Sequence, residues 1–159
     1  MEDYKARLIA ELDKRRVVSV ATVRPDGWPQ ATIVGYCNDG PLIYFMVARE
    51  GQKFKNLAEN PRCSLCVGED VTDPMQIGGA SLGAVAEEVT DPAELAKVTR
   101  LMFGRYPEYE SMMKDADMSG MAVLRATPFV ASVLDYEKGF GHMTAVELAP
   151  RPVIAANAA

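Results

Sequence analysis

Short β-branched runs separated by tight-turn signals constrain this chain more than any other feature. Val17–Val23, Gln30–Cys37 and Leu42–Val47 each have strand length. Pro25-Asp26-Gly27 divides the first from the second, and Asn38-Asp39-Gly40-Pro41 divides the second from the third. Runs joined this closely pair as antiparallel hairpins, because a parallel connection needs a dozen or more residues. The pattern continues in Cys63–Val67 and Ala80–Val89, and then in Met121–Ala126 and Phe129–Leu134 on either side of Pro128. Asp70–Gly79, with Asp73-Pro74 and Gly78-Gly79, reads as a long loop. About seven strands in hairpin order predict a mainly β (α+β) fold, an antiparallel six- to seven-stranded β-barrel with peripheral helices.

Three segments read as helices. Glu2–Arg15 places Tyr4, Leu8 and Leu12 on one stripe. Asp91-Pro92-Ala93-Glu94 combines an N-cap, a first-position proline and a third-position glutamate, with Leu95, Val98 and Met102 behind it and Gly104 to Pro107 as its end. Between them, Gly51 to Pro61 reads as a tight turn and a short helix with Phe54, Leu57 and Ala58 on its buried face. The 159 residues suit one domain, 1–149, followed by a flexible Ala- and Pro-rich tail, 150–159.

A net charge of −5 argues against nucleic acid as a partner. No apolar run is long enough to span a membrane, and the charged N-terminus lacks a signal-peptide core, so a cytoplasmic location is expected. Cys63 and Cys66 have redox or zinc spacing, but residues three apart on a strand point to opposite faces. All three cysteines are therefore expected in the core, and with one histidine no metal site is expected.

The short helix carries the first chemical signal. Lys53 and Lys55 lie in its first turn, where the helix dipole disfavours cations. An anion such as a phosphate on the free N–H groups would reverse that preference. Arg49 is a third nearby cation, and a solvated surface turn is the competing reading. On the second strand, Gln30 and Thr32 share a face with Val34 and Tyr36, as ligand contacts or as water-facing residues. His142, in Phe140-Gly141-His142, is the only imidazole and is a candidate to orient substrate or move a proton. Met112, Met113, Met118 and Met121 read as packing around the Tyr109–Met121 connection.

Taken in order, Val20-Ala21-Thr22-Val23, Asp26-Gly27-Trp28-Pro29-Gln30, Ile43-Tyr44-Phe45, Gly51-Gln52-Lys53, Asn56-Leu57 and Asn60-Pro61-Arg62-Cys63-Ser64-Leu65 resemble the FMN-binding split-barrel family, the pyridoxamine 5′-phosphate oxidase-like proteins. Ser132–Tyr136 with Lys138–His142 is similar to a C-terminal pattern of one bacterial branch. The resemblance implies a split barrel and a homodimer with FMN at the subunit interface, acting as an oxidoreductase on a small molecule. It implies Lys53 as the FMN phosphate ligand, with Gln52 beside it where an Arg is common, and Arg49 nearby. Thr32 and Val34 would line the ring and ribityl chain, and Phe45, Met46 and Val47 would lie on the next strand of the site. Gln76 to Ser81 would approach the ring, and His142 would come from the partner subunit.

The chain also departs from the vitamin B6 enzyme. Thr32 and Gly35 replace its Arg-x-x-Leu, Gln52-Lys53 its Arg-Lys pair, and Glu147-Leu148 its C-terminal Arg-Leu. A planar guanidinium clamps a substrate phosphate, whereas a glutamate repels it. These differences argue against pyridoxamine phosphate as substrate. The alternatives are a deazaflavin-dependent reductase, a haem-binding barrel with His142 as ligand, and a non-catalytic flavin-binding or stress-related module.

Overall fold

The computed structural model describes residues 3–153. The expected helix start at Glu2 and the tail beyond residue 153 lie outside the described residues. The elements run α1 (Tyr4–Lys14), β1 (Val17–Val23), β2 (Pro29–Asp39), β3 (Leu42–Ala48), α2 (Gln52–Glu59), β4 (Arg62–Gly68), β5 (Gly78–Glu88), α3 (Pro92–Arg105), α4 (Pro107–Met113), β6 (Met121–Asp135) and β7 (Met143–Glu147). Every strand pairing is antiparallel, in the order β3-β2-β1-β4-β5-β6-β7. Pairing of β3 with β6 closes six strands into a barrel, and β7 lies outside it on β6.

Side-chain alternation explains the closure. Val18 and Val20, Leu65 and Val67, and Leu82 and Ala84 all point into one core, where Leu8 and Leu12 of α1 join them. Burying such side chains contributes about 1.5–3 kcal/mol each before ordering costs. Asp3 caps α1 by accepting from the N–H groups of Lys5 and Ala6, and Asp91 caps α3 by accepting from that of Glu94.

Several expectations need correction. Pro128 does not divide two strands: β6 runs unbroken from Met121 to Asp135. Pro128 faces Ala84 and Val130 faces Gly83, so Phe129 is the extra residue of a bulge that absorbs the missing proline donor. Gly78 and Gly79 belong to β5 rather than to the preceding loop. The connection after α3 holds a further helix, α4, and Met112 there is exposed rather than packed. A further short strand, β7, follows β6; its five residues carry no strong alternation of apolar side chains that would mark it in the sequence. Cys63 is buried and Cys66 exposed, so the opposite-face argument holds but Cys66 is no core residue.

One irregularity shapes the molecule. β2 pairs with β3 only over Tyr36–Asp39 against Leu42–Phe45, next to the turn where Gly40 takes φ 57°. Beyond Tyr36, the remainder of β2 follows β1 through Val23↔Pro29, while β3 follows β6 through Ala48↔Met121. The barrel wall is therefore split between Pro29–Gly35 and Met46–Ala48.

Candidate functional site

A cavity of about 340 Å³ opens at this split, within the size range of small-molecule sites. Gln30, Thr32 and Val34 of β2 form one wall, and Met46, Val47 and Ala48 of β3 the other. Gly51, Gln52 and Lys53 close the end where α2 begins, and Met121 completes the lining. Because β2 has no strand partner on the β3 side here, its edge offers main-chain donors and acceptors to a ligand.

Two polar groups in the cavity lack protein partners among the described residues. The Thr32 hydroxyl oxygen is buried without a hydrogen bond. Such a group costs about 1–3 kcal/mol unless something satisfies it. Lys53 is half-buried and makes no ion pair among the described residues. Burial holds its amino group below the ordinary 10.5. The cap position of α2 is Gly51, which has no side chain to cover the free N–H groups of the first turn. A desolvated lysine beside an open helix N-terminus forms an anion site.

Asn56 organises the wall behind it. It is fully buried, donating to the Thr22 hydroxyl oxygen at 2.9 Å and to Gln30 Oε1 at 3.0 Å. It accepts from Gln52 Nε2 at 2.8 Å. Both amides lining the cavity are thus held by one side chain. The expected buried face of α2 is corrected accordingly: Ala58 is exposed, and Asn56 turns inward beside Leu57. A signal was present, because Thr22 is the polar residue at an inward position of β1 and required a buried partner.

The site residues expected from sequence divide into two groups. Lys53, Gln52, Thr32, Val34, Met46 and Val47 line one cavity. Phe45 is instead fully buried in the barrel core. Arg49 donates to Glu88 and lies over the Phe54 ring at 5.7 Å, outside the cavity lining. Lys55 is exposed and pairs with Glu50 at 3.6 Å. Gln76, Ile77 and Gly78 adjoin Arg7 and Glu11 of α1 rather than the cavity. His142 is half-buried in the turn between β6 and β7, its Nε2 3.4 Å from the Thr144 hydroxyl, and does not line the cavity within one protomer.

Comparison with known proteins fits this geometry. The family model for pyridoxamine 5′-phosphate oxidase matches residues 5–134. A conserved hypothetical protein from Mycobacterium tuberculosis superposes with a TM-score of 0.72 at 26% identity, covering 91% of each chain. A heme binding protein from Mycobacterium smegmatis gives 0.73 at 24% identity over 90% of this chain, which spans only 56% of that one. An FAD-binding protein from Mesorhizobium loti gives 0.64 at 18% identity, covering 80% of this chain and 91% of that one. None of the curated proteins matches the sequence.

Proposed function

Because the chain belongs to the pyridoxamine 5′-phosphate oxidase family, we propose that it is an FMN-binding flavoprotein and an oxidoreductase acting on a small molecule. The observation that carries this reading is the half-buried Lys53, without an ion pair among the described residues, in a split-barrel cavity whose buried Thr32 hydroxyl also lacks a partner there. Lys53 and the first turn of α2 hold the phosphate. Thr32, Val34 and the free edge of β2 face the ring and chain. A bound flavin supplies the electron-transfer chemistry. The protein binds it, orients it and restricts water around it. Thr32, Gly35 and Glu147 leave no arginine where the B6 enzyme clamps its substrate phosphate, so the substrate is a different small molecule.

The functional unit is a homodimer. The outer face of β1 and β2 exposes Val17, Val23 and Ile33, and Trp28 projects at the hairpin tip. Across the sheet, Ile33, Ser19, Cys66 and Ser81 form one row and Ala31, Ala21, Ser64 and Gly83 the next. An uncharged surface of small and apolar side chains suits close approach of a second copy. Light scattering is expected to give twice the chain mass. Ile33→Arg, which places a charge on that face, should shift the protein toward monomer. A wild-type monomer at micromolar concentration would refute the dimer.

The function is tested by titrating cofactor-free protein with FMN and with haem. Saturable uptake of one FMN per chain, seen as quenched flavin fluorescence, is expected. A chain that ignores FMN and develops a Soret band abolished by His142→Ala would replace this reading with haem binding, the activity named for the Mycobacterium smegmatis neighbour.

A further inference from the structure

A second opening lies away from the split. It measures about 550 Å³ and sits between the end of α1, the far end of β2 and α3. Arg15, Arg16, Arg100 and Arg105 line it, four of the chain's ten arginines, against the single carboxylate of Asp13. It shares no lining residue with the split cavity. Thr32 and Asn38, which mark the two openings on β2, are roughly 20 Å apart along the strand.

The four guanidinium groups are not equivalent. Arg15 is neutralised by Glu11 at 3.0 Å and by Glu69, and Arg16 by Glu108. Arg105 is mostly buried, and its donors go to neutral oxygens: the carbonyls of Leu12 and Arg15 at 3.1 and 2.9 Å and the Asn38 side-chain oxygen at 2.6 Å. Asp13 opposes its charge only at 3.7 Å, and Asp13 also accepts from Asn38. Arg100 is exposed and has no hydrogen bond or ion pair among the described residues. The cleft therefore holds an uncompensated positive charge in a chain whose net charge is −5. Two of its arginines are held by aromatic rings: Arg105 lies over the Tyr36 ring at 4.9 Å and Arg16 over the Tyr106 ring at 4.5 Å.

We propose that this cleft is a second ligand site, for a small organic molecule carrying a phosphate or carboxylate group. Arg100 meets the oxyanion with its planar fork, and Arg16 and Arg105 border it. The volume exceeds what a bare anion fills, and Leu101 gives an apolar wall for the ligand's carbon skeleton.

The test uses full-length Lys53→Gln protein, in which the phosphate site at the split is weakened. Amide NMR spectra are followed during separate titrations with inorganic phosphate and with succinate at constant ionic strength. Saturable shifts confined to residues 13–16, 37–38 and 100–105 are expected with at least one of the two, and the tighter anion identifies the group recognised. Arg100→Gln should raise the midpoint at least fivefold. Arg100 is exposed and has no hydrogen bond or ion pair to lose among the described residues, so an unchanged spectrum elsewhere verifies the fold of that variant. Shifts that stay linear and match those from sodium chloride would overturn the proposal. So would an Arg100→Gln midpoint equal to that of its parent.

Discussion

Lys53→Ala is expected to weaken FMN binding roughly tenfold to 150-fold, from the loss of one charge-assisted contact worth about 1.5–3 kcal/mol. Riboflavin, which lacks the phosphate, should bind the variant and the wild type alike. This control separates loss of the phosphate contact from general damage to the cavity. The melting temperature of the cofactor-free variant should not fall. Burial without a counter-charge lowers the Lys53 pKa below 10.5, so the protonated amine disfavours the folded state at neutral pH. That penalty fades as pH rises through the lowered value. A bound phosphate stabilises the protonated amine, so wild-type FMN affinity is flat near neutrality and declines at alkaline pH as Lys53 loses its proton. Lys53→Ala should flatten the alkaline decline. Equal FMN affinity in variant and wild type would remove Lys53 from the phosphate site.

The sequence disclosed the elements of this site better than their junctions. Val17–Val23 was legible to the residue, because the turn at Pro25-Asp26-Gly27 and the inward Val18 and Val20 specify both its end and its face. Lys53 was legible as an anion ligand only through its place in the first turn of a short helix. Its lack of a carboxylate partner depends on the packing of β2, β3 and α2, which no local pattern encodes. Phe45 and Met46 show the limit most clearly. Adjacent on one strand, they must face opposite ways. Sequence alone did not say which one meets the cavity. Pairing of Phe45 with Tyr36 and Leu124 puts Phe45 in the core and leaves Met46 at the split. Arg49 likewise looked available until the fold brought Glu88 of β5 beside it. The arginine cleft gave no local signal, because its cations come from the two residues just after α1 and from α3, brought together only by docking of the helices on β2.

Asn56→Ala is expected to lower stability by about 2–4 kcal/mol, since it removes three hydrogen bonds and leaves the buried Thr22 hydroxyl without its donor. For a chain of this length that corresponds to a fall in melting temperature of about 5–15 °C. Asn56→Asp separates hydrogen bonding from volume. The carboxylate keeps the size and still accepts from Gln52, but it cannot donate to Thr22 or Gln30, and it buries a charge. Both variants should therefore be destabilised, with Asn56→Asp least stable near neutral pH and recovering as acid protonates the new carboxyl. FMN affinity should fall in each, because Gln30 and Gln52 are released from their common anchor while Lys53 is untouched. The riboflavin control then reads oppositely to that for Lys53: riboflavin binding weakens along with FMN, since the disturbed amides belong to the wall and not to the phosphate contact. A melting temperature within 2 °C of wild type for Asn56→Ala would show that the buried amide network does not hold α2 against the barrel.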